Sequence, residues 1–155
     1  MYQNDFTFGR MLLAYRRPLE FSGRSTRTEL LGYLIISWVL STVAAYGLMF
    51  AVPGPESFVI GLTAVRFIFW LPLPSLAVRR AHDVGRPWYW SLALLIPTFL
   101  GWVGRDLFEQ VPGLLPIMVA LNIVGLVILF WKPSDGANEF GPDPRLEEDS
   151  AFESA

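Results

Sequence analysis

The chain has 155 residues, a formal net charge of −2 and no cysteine. With 53% hydrophobic residues and a mean hydropathy of +0.42, it is too apolar for an ordinary soluble domain. The missing thiols exclude disulfides and thiolate metal sites. The small net charge does not define partners, because the charges are segregated: Arg10, Arg16, Arg17, Arg24 and Arg27 precede the first long apolar run, and Glu147, Glu148, Asp149 and Glu153 crowd the end.

The first element is short. Phe8, Met11, Leu12 and Tyr15 recur at i, i+3, i+4 and i+7 with Arg10 and Arg17 opposite, which predicts an amphipathic helix that Pro18 ends. Such a helix lies in the cytoplasmic interface, or it packs on the protein's own cytoplasmic surface; the pattern fits both. Thr26-Arg27-Thr28-Glu29 has the form of a capping box and should start the first long helix.

Four apolar stretches follow: Leu30–Val52, Ser57–Val78 (interrupted by Arg66), Trp88–Gly104 and Val111–Trp131. A helix needs about 20 apolar residues to cross a hydrocarbon core of roughly 30 Å. Leu30–Val52 has only scattered Ser, Thr and Tyr, so it lacks the charged face a soluble bundle helix requires. It begins near residue 30 with no small-residue cleavage site, and so reads as a retained helix and not a signal peptide. Pro53-Gly54-Pro55 should close it in a tight turn. Pro87 should sit in the first turn of the third stretch. Pro72 and Pro74 should bend or break the second stretch, Pro97 the third, and Pro116 the start of the fourth.

The expected fold is therefore all-α and integral to a membrane, with four transmembrane helices and an N-terminal amphipathic interfacial helix. Residues 1–29 form a cytoplasmic segment, 30–131 the four-span domain and 132–155 a cytoplasmic tail, disordered from about residue 146. Lys and Arg favour the cytoplasmic side. Arg10, Arg16, Arg17, Arg24, Arg27, Arg79, Arg80, Arg86, Lys132 and Arg145 flank the spans on one side, against Arg105 on the other. Both termini and the loop between the second and third spans are thus expected in the cytoplasm. Trp88, Tyr89, Trp90 and Trp131 sit at span ends, where amphipathic rings favour the interface.

Three polar clusters fall on that same side: Phe21-Ser22-Gly23-Arg24 with Arg27 and Glu29; Arg79-Arg80-Ala81-His82-Asp83-Val84-Gly85-Arg86; and Asp135-Gly136-Ala137-Asn138 through Phe140-Gly141-Pro142-Asp143-Pro144. Helices in a bundle lie about 10 Å apart, so the three can form one cap. Their patterns, FSGRxxRxE, RRxHDxGR followed by aromatics, and GxNxFGPDP, appear in this order between Phe21 and Pro144. In this the chain resembles the domain of unknown function 805 family of small bacterial inner-membrane proteins. The resemblance implies a multi-span protein of the bacterial cytoplasmic membrane and supplies no established activity. Leu30 and Leu31 stand where that family usually has aromatics, Ala81 where it has Leu, and Pro87 where it more often has Ser-Gly.

The candidate ligand- or lipid-binding residues are Arg24, Arg27, Arg79, Arg80, His82, Asp83, Arg86, Asn138 and Asp143. Arg79 and Arg80 serve topology and snorkelling, or form a pocket for an anionic lipid or phosphate-bearing ligand. His82 is the sole histidine, which excludes a His-cluster metal site. It has no evident nucleophile beside it, and Asp83 is expected to pair with Arg24, Arg27 or Arg86. Asn138 and the glycines and prolines around it read as turn formers, and Asp135, Glu139 and Asp143 lack the EF-hand pattern. Arg66, near the middle of the second span, is costly there, by about 3 kcal/mol or more. It is expected either to face the bundle interior and bond Asn122 or Tyr46, or to snorkel outward. These features suggest a non-enzymatic interaction or anionic-lipid-binding module, without cofactor, metal or nucleic acid. Its partners would be lipid headgroups, and a protein partner or a second copy remains open. The alternative is a small oligomeric transporter or channel with Arg66 and Asn122 along an anion path.

Overall fold

The computed structural model describes residues 8–103, 110–111 and 113–145. The acidic end and Arg105 lie outside the described residues, as do the side chains of Phe8 and Arg10. The described secondary structure is helical apart from one isolated bridge between Asn138 and Gly141. The helices are α1 (Phe8–Met11), α2 (Leu13–Arg16), α3 (Arg27–Ala51), α4 (Pro55–Trp70), α5 (Leu73–Asp83), α6 (Leu92–Val103) and α7 (Leu114–Phe130), with a 3₁₀ turn over Trp88–Ser91.

The amphipathic N-terminal stretch forms two short helical turns instead of one helix, and both pack on the start of α3. Met11 seats on Gly32, where an added Cβ would fall 2.4 Å from the Met11 Cβ. The Tyr15 ring lies 5.6 Å from that of Tyr33, and the Tyr15 hydroxyl shares a 2.5 Å hydrogen bond with Ser37 Oγ.

Thr26 caps α3 as its spacing predicts: its hydroxyl accepts the Glu29 N–H at 3.2 Å. The Glu29 carboxylate turns to Arg79. The 25 residues of α3 extend about 37 Å at 1.5 Å per residue, enough to cross a bilayer. Gly54 closes α3 onto α4 with φ of +86°, a conformation open to glycine at no steric cost. The prolines act locally. α4 stops at Trp70 and α5 restarts at Leu73, so Pro72 marks a joint, whereas Pro74 fits the first turn of α5. Pro97 does not end α6, which runs through it to Val103. Pro87 precedes the 3₁₀ turn, and its carbonyl accepts the Trp90 N–H at 3.1 Å.

α3 packs on α4, and α6 on α7; α5 touches α3, α6 and α7 and ties the two pairs together at one end. Gly125 lets α7 approach α6 closely, since a Cβ there would stand 3.1 Å from the Leu94 Cα. The core sits at the α5 end, around Ala14, Leu30, Tyr33, Leu73 and Leu76. Away from it the helices present apolar side chains outward: Trp38 is 71% exposed, Ile60 71% and Phe50 90%. A soluble protein rarely exposes so continuous an apolar surface. Two helical stretches, Arg27–Ala51 and Pro55–Asp83, are long and apolar enough to cross a membrane; the stretches at Trp88–Gly101 and Leu114–Ile128 are shorter.

Candidate functional site: a buried arginine–carboxylate cap

α5 carries Arg79, Arg80 and Asp83 past the last apolar residues of its stretch and into the core end of the molecule, where all three are buried. Asp83 is the centre of the arrangement. Its Oδ1 accepts Arg24 Nε at 3.1 Å and Arg24 Nη2 at 3.0 Å; its Oδ2 accepts Arg145 Nη2 at 2.9 Å and also Arg80 Nη1. One carboxylate thus joins the N-terminal segment, α5 and the segment after α7. A charge removed from water this completely needs such compensation.

The remaining donors find carbonyls. Arg24 reaches Ser134 O at 2.8 Å and Gly136 O; Arg80 reaches Trp131 O at 2.9 Å. Gly136 turns the chain with φ of +70°, which brings its carbonyl to Arg24. The Asp83 carbonyl accepts both the N–H and the hydroxyl of Ser134, at 2.9 and 3.0 Å. Burial pushes the Arg80 guanidinium down to about 10, against the opposing pull of Asp83; it stays cationic at neutral pH.

Asn138 organises the last loop. Its amide donates to the His82 carbonyl at 3.0 Å and to Ser134 Oγ at 2.8 Å, and its Oδ1 accepts the Phe140 N–H at 2.9 Å. Phe140 stacks on His82, with ring centroids 4.1 Å apart and planes parallel within 1°. His82 Nδ1 faces the Gly23 carbonyl at 3.1 Å, so the tautomer protonated at Nδ1 fits. Burial lowers the His82 pKa, against smaller raising effects from the Gly23 carbonyl and Glu139. Asp143 accepts the backbone N–H of Arg145 at 3.0 Å and its Nη1 at 2.9 Å.

A second buried pair lies beside this one. Arg79 Nη1 donates to Glu29 Oε1 at 2.8 Å, and Arg17 Nη2 stands 3.9 Å from Glu29 Oε2. Arg79 Nε and Nη2, Arg17 Nε and Arg27 Nε are buried donors without an acceptor among the described residues. Arg27 Nη2 joins Arg80 on the Trp131 carbonyl, at 2.7 Å.

The three sequence clusters therefore meet. Arg24, Arg80, His82, Asp83, Asn138 and Asp143 form one hydrogen-bonded body with Arg145 and Ser134. Arg79 and Arg80 turn inward instead of toward headgroups. Of the three arginines expected on Asp83, Arg24 is there; Arg27 goes to Trp131, and Arg86 lies over the Trp90 ring, 5.1 Å from its centroid. Arg80 and Arg145 take their places. Arg145, read from the sequence only as a flanking cytoplasmic charge, is not among the expected partners of Asp83, although its spacing of two from Asp143 is a signal for the pair they form.

The expected contact of Arg66 with Asn122 or Tyr46 is absent. Asn122 donates to the Met118 carbonyl of its own helix at 3.0 Å and is exposed. α4 packs on α3 and α7 on α6, which places the two residues on different helix pairs. Arg66 and Tyr46 line one groove between α3 and α4, with no hydrogen bond between them.

The family of proteins of unknown function DUF805 matches residues 18–142. The chain is similar to the inner membrane protein YhaI of Escherichia coli strain K12, at 27% identity over 87% of this chain and 94% of that protein. It is also similar to the inner membrane protein YhaH of the same strain, at 28% identity over 88% of this chain and 96% of that protein. No solved structure matches. With both transmembrane-length stretches and all three cap motifs inside or overlapping the matched residues, the chain belongs to the DUF805 family.

Proposed function

We propose that this protein is a multi-pass protein of the bacterial cytoplasmic membrane that performs no chemistry of its own and holds anionic headgroups at its cytoplasmic cap. Four spans would cross the bilayer: α3, α4 continued by α5 as far as Val78, the 3₁₀ turn with α6, and α7. Both termini would lie in the cytoplasm. The charge asymmetry of the flanking segments supports the orientation, and the similarity to inner membrane proteins supports the membrane.

One observation carries the headgroup reading: guanidinium exceeds carboxylate in the cap. Arg17, Arg24, Arg27, Arg79, Arg80 and Arg145 face Glu20, Glu29, Asp83 and Asp143, and of these arginines Arg17 and Arg27 are partly exposed. Partly exposed guanidiniums in excess of carboxylates beside a bilayer surface suit phosphate oxygens. Arg16, exposed, and Arg86, exposed over Trp90, add to the same side.

The residues to substitute are Arg17 and Arg27, because Arg79 and Arg80 hold the cap together. Native mass spectra of protein loaded with phosphatidylglycerol or phosphatidylcholine test the reading. Wild type should retain phosphatidylglycerol adducts at collision energies that strip phosphatidylcholine, and Arg17→Gln with Arg27→Gln should lose them. Equal retention of the two lipids, or full retention by the double variant, refutes it.

A further inference from the structure

The groove between α3 and α4 shares no lining residue with the cap and has a different character. It is an open groove of about 460 Å³, within the range of roughly 300–1,000 Å³ common for small-molecule sites. Its walls are Trp38, Tyr46, Met49, Phe58 and Leu62, with Arg66 as the one charged residue.

Depth makes Arg66 unusual. It lies eleven residues beyond Pro55, about 16 Å along α4 at 1.5 Å per residue, which is near the middle of a core roughly 30 Å thick. A guanidinium there is costly unless something meets it. Among the described residues Arg66 makes no hydrogen bond or ion pair, and neither does the Tyr46 hydroxyl. The other hydroxyls on the groove are already used: Ser41 Oγ and Thr42 Oγ1 donate to the Trp38 carbonyl at 3.1 and 2.7 Å. What remains is a set of donors, one of them permanently cationic, exposed on an open groove with aromatic and aliphatic walls.

We propose that this groove binds an anionic amphiphile: a carboxylate or phosphate held by Arg66 and the Tyr46 hydroxyl, with an apolar chain lying along Trp38, Phe58 and Leu62. Charge complementarity selects the anion, since a cation would meet Arg66 and an uncharged lipid would leave it unpaired. Aromatic and aliphatic walls open to the bilayer select an apolar body that enters sideways from the lipid. The inference rests on α3 and α4 standing in a bilayer but not on headgroup binding at the cap.

The test uses full-length protein in nanodiscs of phosphatidylcholine, titrated with dibrominated stearate, a heavy-atom quencher. Quenching at Trp38 is taken as the difference between wild type and Trp38→Phe. It should saturate. Arg66→Gln should weaken the apparent affinity about tenfold or more, the loss expected for a charge-assisted contact. Dibrominated stearyl alcohol, which lacks the charge, should not saturate. Ala45→Phe, which fills the groove and leaves Arg66 in place, should also abolish saturation. Melting temperatures of the two groove variants close to wild type would show that they still fold.

Dibrominated lysophosphatidic acid in parallel separates a free acid from a phospholipid: whichever saturates at lower concentration names the source, and either result supports the site. Quenching that rises linearly with probe and is identical in Arg66→Gln would overturn it as bulk partitioning. So would a crosslink through Cys introduced at Trp38 that shows the groove covered by a second copy. Retention of the chain in carbonate-washed membranes checks the bilayer placement separately, so failure of that premise would not be mistaken for failure of the site.

Discussion

Asp83→Asn is the most informative perturbation of the cap. The carboxylate is fully buried and receives Arg24, Arg80 and Arg145. The amide keeps the shape and removes the charge, so three guanidiniums face a neutral group. Each retains a fallback: Arg24 the carbonyls of Ser134 and Gly136, Arg80 that of Trp131, Arg145 the carboxylate of Asp143. Breaking a buried pair costs about 3–5 kcal/mol, and these fallbacks place the loss toward the lower end of that range. At about 2–4 °C per kcal/mol for a chain of this size, the melting temperature should fall on the order of 10 °C. Differential scanning fluorimetry in detergent measures the fall, and amide exchange should show segment 134–141 losing protection first. Asp135→Asn is the control: its pair with Lys132 is exposed, and no shift should be measurable. A shift of less than about 2 °C for Asp83→Asn, with unchanged exchange in that segment, would refute the view that Asp83 holds the three segments together.

Further outcomes follow from the same geometry. Glu29→Gln should lower the melting temperature by an amount similar to Asp83→Asn, because Arg79 then loses its described anionic partner, and Thr26→Ala should cost about 1 kcal/mol as a lost cap; both are read by the same fluorimetry. Gly32→Leu should release residues 8–16 from α3, seen as faster proteolysis near Arg16, because the added side chain occupies the place of Met11. His82 is half-buried with a pKa below its ordinary 6.5, so the unfolded chain binds the extra proton first as pH falls; stability should hold above pH 6.5 and drop below it. His82→Gln should remove that slope from a melting-temperature profile against pH.

The helices, the start of α3 at its Thr26 cap, the turn at Gly54 and the break near Pro72 were legible in the sequence, because each rests on local chemistry: apolar length, a capping hydroxyl, a glycine in a left-handed turn, a proline without its N–H. The grouping of three polar motifs on one side was also legible, since charge bias depends on composition and not on packing. The partners within that group were not. Asp83 selects Arg24, Arg80 and Arg145 over Arg27 and Arg86 because α5 extends beyond its apolar stretch and the chain after α7 folds back across its end. Sequence distance says nothing about such returns. Arg66 shows the same limit. Its depth was readable from a residue count, but its neighbour was decided by the pairing of α3 with α4 and of α6 with α7, which places Arg66 in one groove and Asn122 on the other pair.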